Sequence, residues 1–220
     1  MKFQGKIFLE DVLKGKSVER RFRLTSRWAT GFHLQFVDAF TDTILQGQSL
    51  TTSQAIISAG GNFELGFFSP GKSTKYYVGI WYKKISEQTI VWVANRDYSF
   101  TNPSVVLTVS TDGNLEILEG KISYKMTSIS SNSNTSATLL DSGNLVLRNK
   151  KSDVLWESFD YPSDTLLPGM KLGYDKRAGK TWSMVSWKSA EDPSPGDFSL
   201  QSTLMELARF LASKDPTVLD

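Results

Sequence analysis

The residue types that most often carry chemistry are sparse in this chain and gathered in a few places. Glu157, Asp160 and Asp164 set three carboxylates close together after Trp156. Acid–base work on a glycosidic bond needs two carboxyls held at a defined separation, and nothing in the flanking sequence fixes these as such a pair. Asn95-Arg96-Asp97 echoes a kinase catalytic loop. The glycine-rich loop, the strand lysine and the metal-binding Asp-Phe-Gly that would have to accompany it are missing. A Ser-His-Asp triad would have to run through His33, the one histidine. The chain has no Cys, which rules out a disulfide framework, iron–sulfur clusters and Cys-based zinc sites. The expectation is a protein that is not an enzyme, with no catalytic residues, no metal and no cofactor.

The 220 residues are 40% hydrophobic and 22% charged, enough for one or two domains with a sizeable core. A formal net charge of +2 is too balanced to argue for nucleic acid. The charge is uneven, with residues 1–40 carrying a net +4 and residues 41–220 a net −2. The basic run from Arg20 to Arg27 could touch an anionic surface, or be a solvated, poorly ordered segment. Ile7-Phe8-Leu9 is cut at once by Glu10 and Asp11, so no secretory signal is visible. No apolar run reaches the length of a membrane-spanning helix.

From Asp42 onward the pattern is that of a β protein. Tyr76–Tyr82, Thr89–Ala94, Val105–Val109 and Asn144–Leu147 are rich in β-branched and aromatic residues, and Gly, Asn, Asp, Pro and Ser punctuate them at short intervals. The chain also repeats itself. Gly61-Asn62-Phe63, Gly113-Asn114-Leu115 and Gly143-Asn144-Leu145 are each a turn followed by a strand. Trp92, Tyr124 and Trp156 sit on the aromatic strands that follow the three copies. Three sheets, each with one apolar face, can bury those faces only against one another. The prediction is an all-β, pseudo-threefold β-prism with a shared aromatic centre. In it Trp81, Trp92 and Trp156 are expected to serve the core rather than stack on a ligand.

Two segments read differently. Ten of the 12 residues from Thr127 to Thr138 are Ser, Thr or Asn, which suggests a polar loop or edge hairpin. This segment holds the one N-glycosylation sequon, Asn134-Thr135-Ser136, since Asn102 is followed by Pro103. Beyond Leu200, Thr203–Glu206 reads as a capping box. Leu204, Leu207, Ala208 and Leu211 share a helical face, and Pro216 ends it, so a short C-terminal helix is expected.

Several blocks follow one another in an order that carries a resemblance. They are Phe63-Glu64-Leu65-Gly66-Phe67-Phe68, Gly79-Ile80-Trp81-Tyr82, Val91-Trp92-Val93-Ala94-Asn95-Arg96-Asp97, Leu140-Asp141-Ser142-Gly143-Asn144-Leu145-Val146-Leu147 and Trp156-Glu157-Ser158-Phe159-Asp160-Tyr161-Pro162. From about residue 42 to residue 200 the chain resembles the start of the ectodomain of plant S-locus glycoproteins and G-type lectin S-receptor-like serine/threonine kinases, a bulb-type mannose-binding lectin domain. The resemblance implies four segments: an atypical basic stretch (1–41), a lectin domain (42–158), the start of a second lectin-like segment (159–200) and a helical tail (201–220). It also implies a truncated form lacking the kinase, and an extracellular or plasma-membrane-associated parent that passes on signals such as recognition of pollen.

Bulb-type lectins hold mannose through Gln-x-Asp-x-Asn-x-Val-x-Tyr, whose alternate side chains share one sheet face. Carried over, the positions are Ser110, Asp112, Asn114, Glu116 and Leu118 in one copy. In another they are Leu140, Ser142, Asn144, Val146 and Arg148, and around Asn62 they are Ser58, Gly60, Asn62, Glu64 and Gly66. Asp112, Asn114, Asn144, Val146 and Asn62 keep the motif residue, no copy keeps the Gln or the Tyr, and Asp112, Asn114, Asn144 and Val146 are the candidate sugar-binding residues. The same Gly-Asn pairs are also good turn formers. Three readings stay open, the first two being a carbohydrate-recognition module for a mannose-type glycan and a module for protein or peptide ligands that pairs with receptor ectodomains as a homo- or heterodimer. A nonfunctional product is the third possibility.

Overall fold

The computed structural model describes residues 41–130, 134–202 and 210–214. The first twelve strands in order are β1 (Thr43–Leu45), β2 (Ser49–Thr51), β3 (Ala55–Ile57), β4 (Phe63–Phe68), β5 (Tyr77–Tyr82), β6 (Ile90–Val93), β7 (Val106–Val109), β8 (Leu115–Glu119), β9 (Ile122–Lys125), β10 (Thr135–Leu139), β11 (Leu145–Asn149) and β12 (Val154–Glu157). They form three four-stranded antiparallel sheets. Sheet I has the order β3-β4-β5-β6, sheet II β2-β7-β8-β9 and sheet III β1-β10-β11-β12. Sheets II and III therefore each borrow an N-terminal strand and close on it only after a long excursion of chain.

The inner faces meet in one core. Phe63 and Leu65 of β4, Ile80 of β5, Leu107 of β7, Leu115 and Ile117 of β8, and Leu145 and Leu147 of β11 are all buried in it. The period of two along each strand sends these inward and leaves alternate residues on the outer faces. The predicted prism is the fold observed, and its threefold repeat can be read in the strand register. Ile80 pairs with Trp92, Ile117 with Tyr124 and Leu147 with Trp156, so the three aromatics are true equivalents around the centre. Trp92 and Trp156 meet edge to face with ring centroids 6.1 Å apart.

The tips of two of these aromatics also follow the repeat, while Trp156 Nε1 is buried without a hydrogen-bond partner among the described residues. Trp92 Nε1 donates to the Tyr161 carbonyl at 2.8 Å, just past the end of sheet III. Tyr124 Oη donates to Asp97 Oδ1 at 2.8 Å, just past the end of sheet I. Burial raises the Tyr124 pKa, and the neighbouring Asp97 raises it further.

Two expectations are corrected. The polar stretch from Thr127 is not a loop throughout, because Thr135–Leu139 is β10, paired on both sides by β1 and β11. Thr135, Ala137 and Leu139 point into the core, and threonine's β-branch suits it to a pleated strand whatever its polarity. Residues 131–133 lie outside the described residues. The C-terminal helix is contradicted at its far end, where Phe210–Lys214 is a strand, β17, pairing residue by residue with Phe198–Ser202. A short isolated helix has a costly nucleus, whereas an adjacent strand offers a ready ladder of backbone partners. Residues 203–209 lie outside the described residues.

Between prism and tail come a 3-10 turn at Ser158–Asp160, a hairpin of β13 (Gly173–Asp175) and β14 (Lys180–Trp182), and β15 (Met184–Ser189) paired with β16 (Asp192–Ser202). No helix among the described residues is long and apolar enough to cross a membrane.

Candidate functional site

Asn114 and Asn144 stand at equivalent positions, immediately before β8 and β11. Both are buried, and both amides are engaged inside the fold. Asn114 Oδ1 accepts from Thr127 Oγ1 at 3.0 Å and from the Ile129 N–H at 2.8 Å. Asn144 Oδ1 accepts from Ser158 Oγ at 3.0 Å and the Phe159 N–H at 3.2 Å, while its Nδ2 donates to Glu157 Oε2 at 3.0 Å. Thr127 and Ser158 in turn accept the N–H of Leu115 and Leu145, each at 2.9 Å. These amides staple the chain leaving β9 and β12 to the start of β8 and β11.

In sheet I a single residue makes the staple: Asn95 Oδ1 accepts the Val78 N–H at 2.8 Å. Val78 is thus the counterpart of Leu115 and Leu145, and Tyr77 the counterpart of Asn114 and Asn144. Gly61-Asn62 lies elsewhere, in the turn joining β3 to β4. Its likeness to the other two copies reflects shared turn chemistry and not an equivalent place in the repeat. The positions in sheet I that correspond to the motif are Ser73, Lys75, Tyr77, Gly79 and Trp81.

The three outer faces have consequently diverged. That of sheet I is aromatic and covered. Phe68, Tyr77, Trp81 and Val93 form a second apolar cluster with Trp187 of β15 packed against it, Trp187 stacking on Phe68 at 6.2 Å. Gly79 makes room for this, since a Cβ there would lie 2.6 Å from Phe68 Cε1. Arg96 fastens the cover, its Nε donating to the Pro193 carbonyl at 2.6 Å and an Nη to the Ser186 carbonyl at 2.7 Å. Burial lowers the Arg96 pKa, opposed by the charge of Asp164. Trp81 is therefore buried as expected, but beneath Trp187 and outside the central core.

On sheet III the fourth of the five motif positions is Val146, only 1% exposed. Thr43 and Thr138 hydroxyls bond each other at 2.9 Å, and an Arg148 Nη donates to the Ser152 carbonyl at 3.0 Å. The neighbouring carboxylates are structural. Glu157 holds Asn144 and lies 3.8 Å from Lys171. Asp160 accepts from Lys180 at 2.9 Å, Lys171 at 3.2 Å and Trp182 Nε1 at 3.2 Å. Burial opposes the shift, but these two lysines hold the Asp160 carboxyl below its usual range.

Sheet II presents a polar outer face, on which Ser49 and Lys125 are exposed while Thr108 and Glu116 are buried. Ser49, Thr108, Glu116 and Lys125 are paired in one row across its four strands. Asp112 stands at the turn above them with its side chain 49% exposed and 3.5 Å from Lys125 Nζ. Its carboxylate accepts from the Ser110 hydroxyl at 2.5 Å and the Asn114 N–H at 3.1 Å. The Ser110 hydroxyl above all, then Asn114, holds its pKa well below the ordinary carboxylate range. Ser123 Oγ donates to Glu116 Oε2 at 2.6 Å. Asn134 is exposed in the chain entering β10. Sequence reasoning missed Arg96 and Trp187 as partners, although Asn95-Arg96-Asp97 signalled an invested loop: Asn95, Arg96 and Asp97 each anchor a different part of the chain. His33 and the basic run lie outside the described residues.

A profile of the D-mannose binding lectin family matches residues 89–188, a span that holds the last strand of sheet I and most of sheets II and III. The chain is 47% identical over 169 residues to a G-type lectin S-receptor-like serine/threonine-protein kinase of Arabidopsis thaliana, covering 73% of this chain and 20% of that protein. It is 42% identical over 187 residues to an S-locus-specific glycoprotein of Brassica oleracea, covering 80% of this chain and 42% of the relative. The chain thus spans between a fifth and about two fifths of the length of these curated relatives. Among solved structures, a monomeric monocot mannose-binding lectin from Gastrodia elata aligns at 17% identity with a TM-score of 0.44, covering 54% of this chain and 96% of the lectin.

Proposed function

Because this chain carries a D-mannose binding lectin domain and is a relative of the G-type lectin S-receptor-like kinases and S-locus glycoproteins, we propose that it recognises a hexose on the outer face of sheet II. It is a recognition module and not an enzyme. The observation that carries the proposal is the contrast among the three faces. Sheet I is covered by Trp187, sheet III has Ser142 and Val146 where sheet II has Asp112 and Glu116, and the Asp112 carboxylate on sheet II is exposed beside Lys125.

The chemistry suits a sugar diol. An ionised carboxylate accepts from one hydroxyl while a neighbouring ammonium donates to the next. Asp112 is already oriented by Ser110 and Asn114, so little ordering remains to be done on binding. Leu118, half-buried one step along β8, offers apolar contact for ring carbons. The face is shallow, and useful affinity would come from several copies acting together. Asp112 supplies the ligand contact, while Asn114, Asn144 and Val146 support the frame. We place the module on the extracellular side, as its similarity to S-locus glycoproteins and receptor-like kinases supports, with residues 159–200 as the start of a second lectin-like segment.

The test is a glycan array on the purified chain with free mannose as competitor, run beside Asp112→Ala. Binding to mannose-type glycans that mannose competes away, and that Asp112→Ala loses while remaining folded, is the expected result. A blank array from folded, monodisperse protein would retire the sugar reading.

A further inference from the structure

The polar chain entering β10 runs against the Asp112 turn, and this contact points to a second feature of the same face. Thr135 Oγ1, buried, donates to the Gly113 carbonyl at 2.9 Å, so the middle residue of the sequon is bonded to the residue after Asp112. Gln46 ties the two stretches together from the other side. Its Nε2 donates to the Thr111 carbonyl at 2.7 Å, and its Oε1 accepts the Thr135 N–H at 3.3 Å. Leu45, Gln46, Gly47, Thr111, Asn134 and Thr135 line an open groove of about 520 Å³, within the size range of ligand clefts. Leu45 on its rim is 53% exposed, an apolar surface with no cover among the described residues.

We propose that Asn134 carries an N-linked glycan whose first sugars lie in this groove against Leu45, and that the glycan shields the Asp112 face of sheet II from other ligands. The residue types meet the requirements of the modification: Asn at the acceptor position, Thr135 rather than Pro between, and a hydroxyl at Ser136. Asn134 is exposed, whereas Thr135 is locked, which fixes where the glycan is rooted. A bulky hydrophilic chain attached here starts one residue from a bond to the Asp112-Gly113 turn and must pass over or beside it. The shielding rests on the sheet II reading; attachment at Asn134 does not.

The chain, secreted behind a cleavable leader from a glycosylating eukaryotic host, is to be compared with Asn134→Gln, Ser136→Ala and Ser136→Thr. Intact mass is read before and after peptide-N-glycosidase, and retention on mannose-agarose is measured for each form. The expected result is one enzyme-removable glycan on the wild type and Ser136→Thr and none on the other two. The unglycosylated forms should be retained several-fold more strongly at equal melting temperature. An unmodified wild type overturns the attachment. A glycan whose removal leaves retention unchanged overturns the shielding. If no form is retained, the sheet II reading falls and the shielding with it, while the masses still decide the attachment.

Discussion

Arg96 lies 2.7 Å from the carbonyl of Ser186, a residue ninety positions further along the chain. With the second bond to Pro193, one guanidinium holds two points of the β15–β16 hairpin over the outer face of sheet I. The fork geometry matters, because a lysine ammonium cannot reach two carbonyls in fixed directions. Arg96→Ala is expected to destabilise the chain by about 3 kcal/mol, the scale of charge-assisted hydrogen bonds lost from a partly buried site. Arg96→Lys should recover little of it. Denaturant unfolding gives the energy, and limited proteolysis should show earlier cleavage within residues 184–202.

Trp92 joins the core to the chain beyond sheet III through its bond to Tyr161. Trp92→Ala is expected to cost about 3–5 kcal/mol and to unfold much of the module. Trp92→Phe, which keeps most of the ring and loses the donor, should cost about 1 kcal/mol. A soluble Trp92→Ala protein with an unchanged melting curve would contradict the packing described.

Asn144 and Asp112 should separate frame from ligand contact. Asn144→Ala leaves Ser158 Oγ, the Phe159 N–H and Glu157 short of a partner, and should lower stability by about 2 kcal/mol while sugar retention per folded molecule stays unchanged. Asp112→Ala should abolish sugar retention while the chain stays folded.

Acidification gives a further check. The Asp112 pKa is depressed in the folded chain, chiefly by Ser110 and next by Asn114, so its ionised form favours folding. That contribution is fully present above about pH 4, the ordinary carboxylate value, and fades only as the pH falls below it through the depressed value. The stability difference between wild type and Asp112→Asn should be flat from neutral pH to about pH 5 and shrink on further acidification. Chemical denaturation across that range measures it.

Gly79 is an extended glycine kept for space. Gly79→Ala should push Phe68 from its place and loosen the stack with Trp187, at a cost of about 1–3 kcal/mol from overpacking. Trp187 fluorescence should shift toward that of a solvated indole.

The prism was legible in the sequence because its repeat is chemical as well as geometric. Trp92, Tyr124 and Trp156 recur on strands that must face a common centre, and alternation in Phe63–Phe68 marks the inward side. The same kind of evidence misplaced Gly61-Asn62, since a Gly-Asn pair reports a tight turn and not which turn. β10 was hidden because Ser and Thr read as loop when counted by polarity, while their fit to a strand depends on the neighbours that β1 and β11 supply. At the tail, an amphipathic pattern that reads as helix was overridden by a partner strand, at least from Phe210. On the ligand face the motif positions were legible, but the inward orientation of Asn114 and Asn144 was not, because it is set by Thr127 and Ser158 across a hairpin. Nothing local announces that Trp187 would cover Tyr77 and Trp81.

The pairing of Thr43 with Thr138 bears on how the protein is made. Sheet I can be completed by the time its own residues have left the ribosome. β1 and β2, emerging first, must wait as unsatisfied edges until β10 and β7 arrive. Contacts this distant in sequence slow the search for the native arrangement, and waiting edges are open to the wrong neighbour. Synthesis of this chain should therefore be most exposed to misassembly between the completion of sheet I and the arrival of Asn149, and a holding chaperone would earn its keep in that interval.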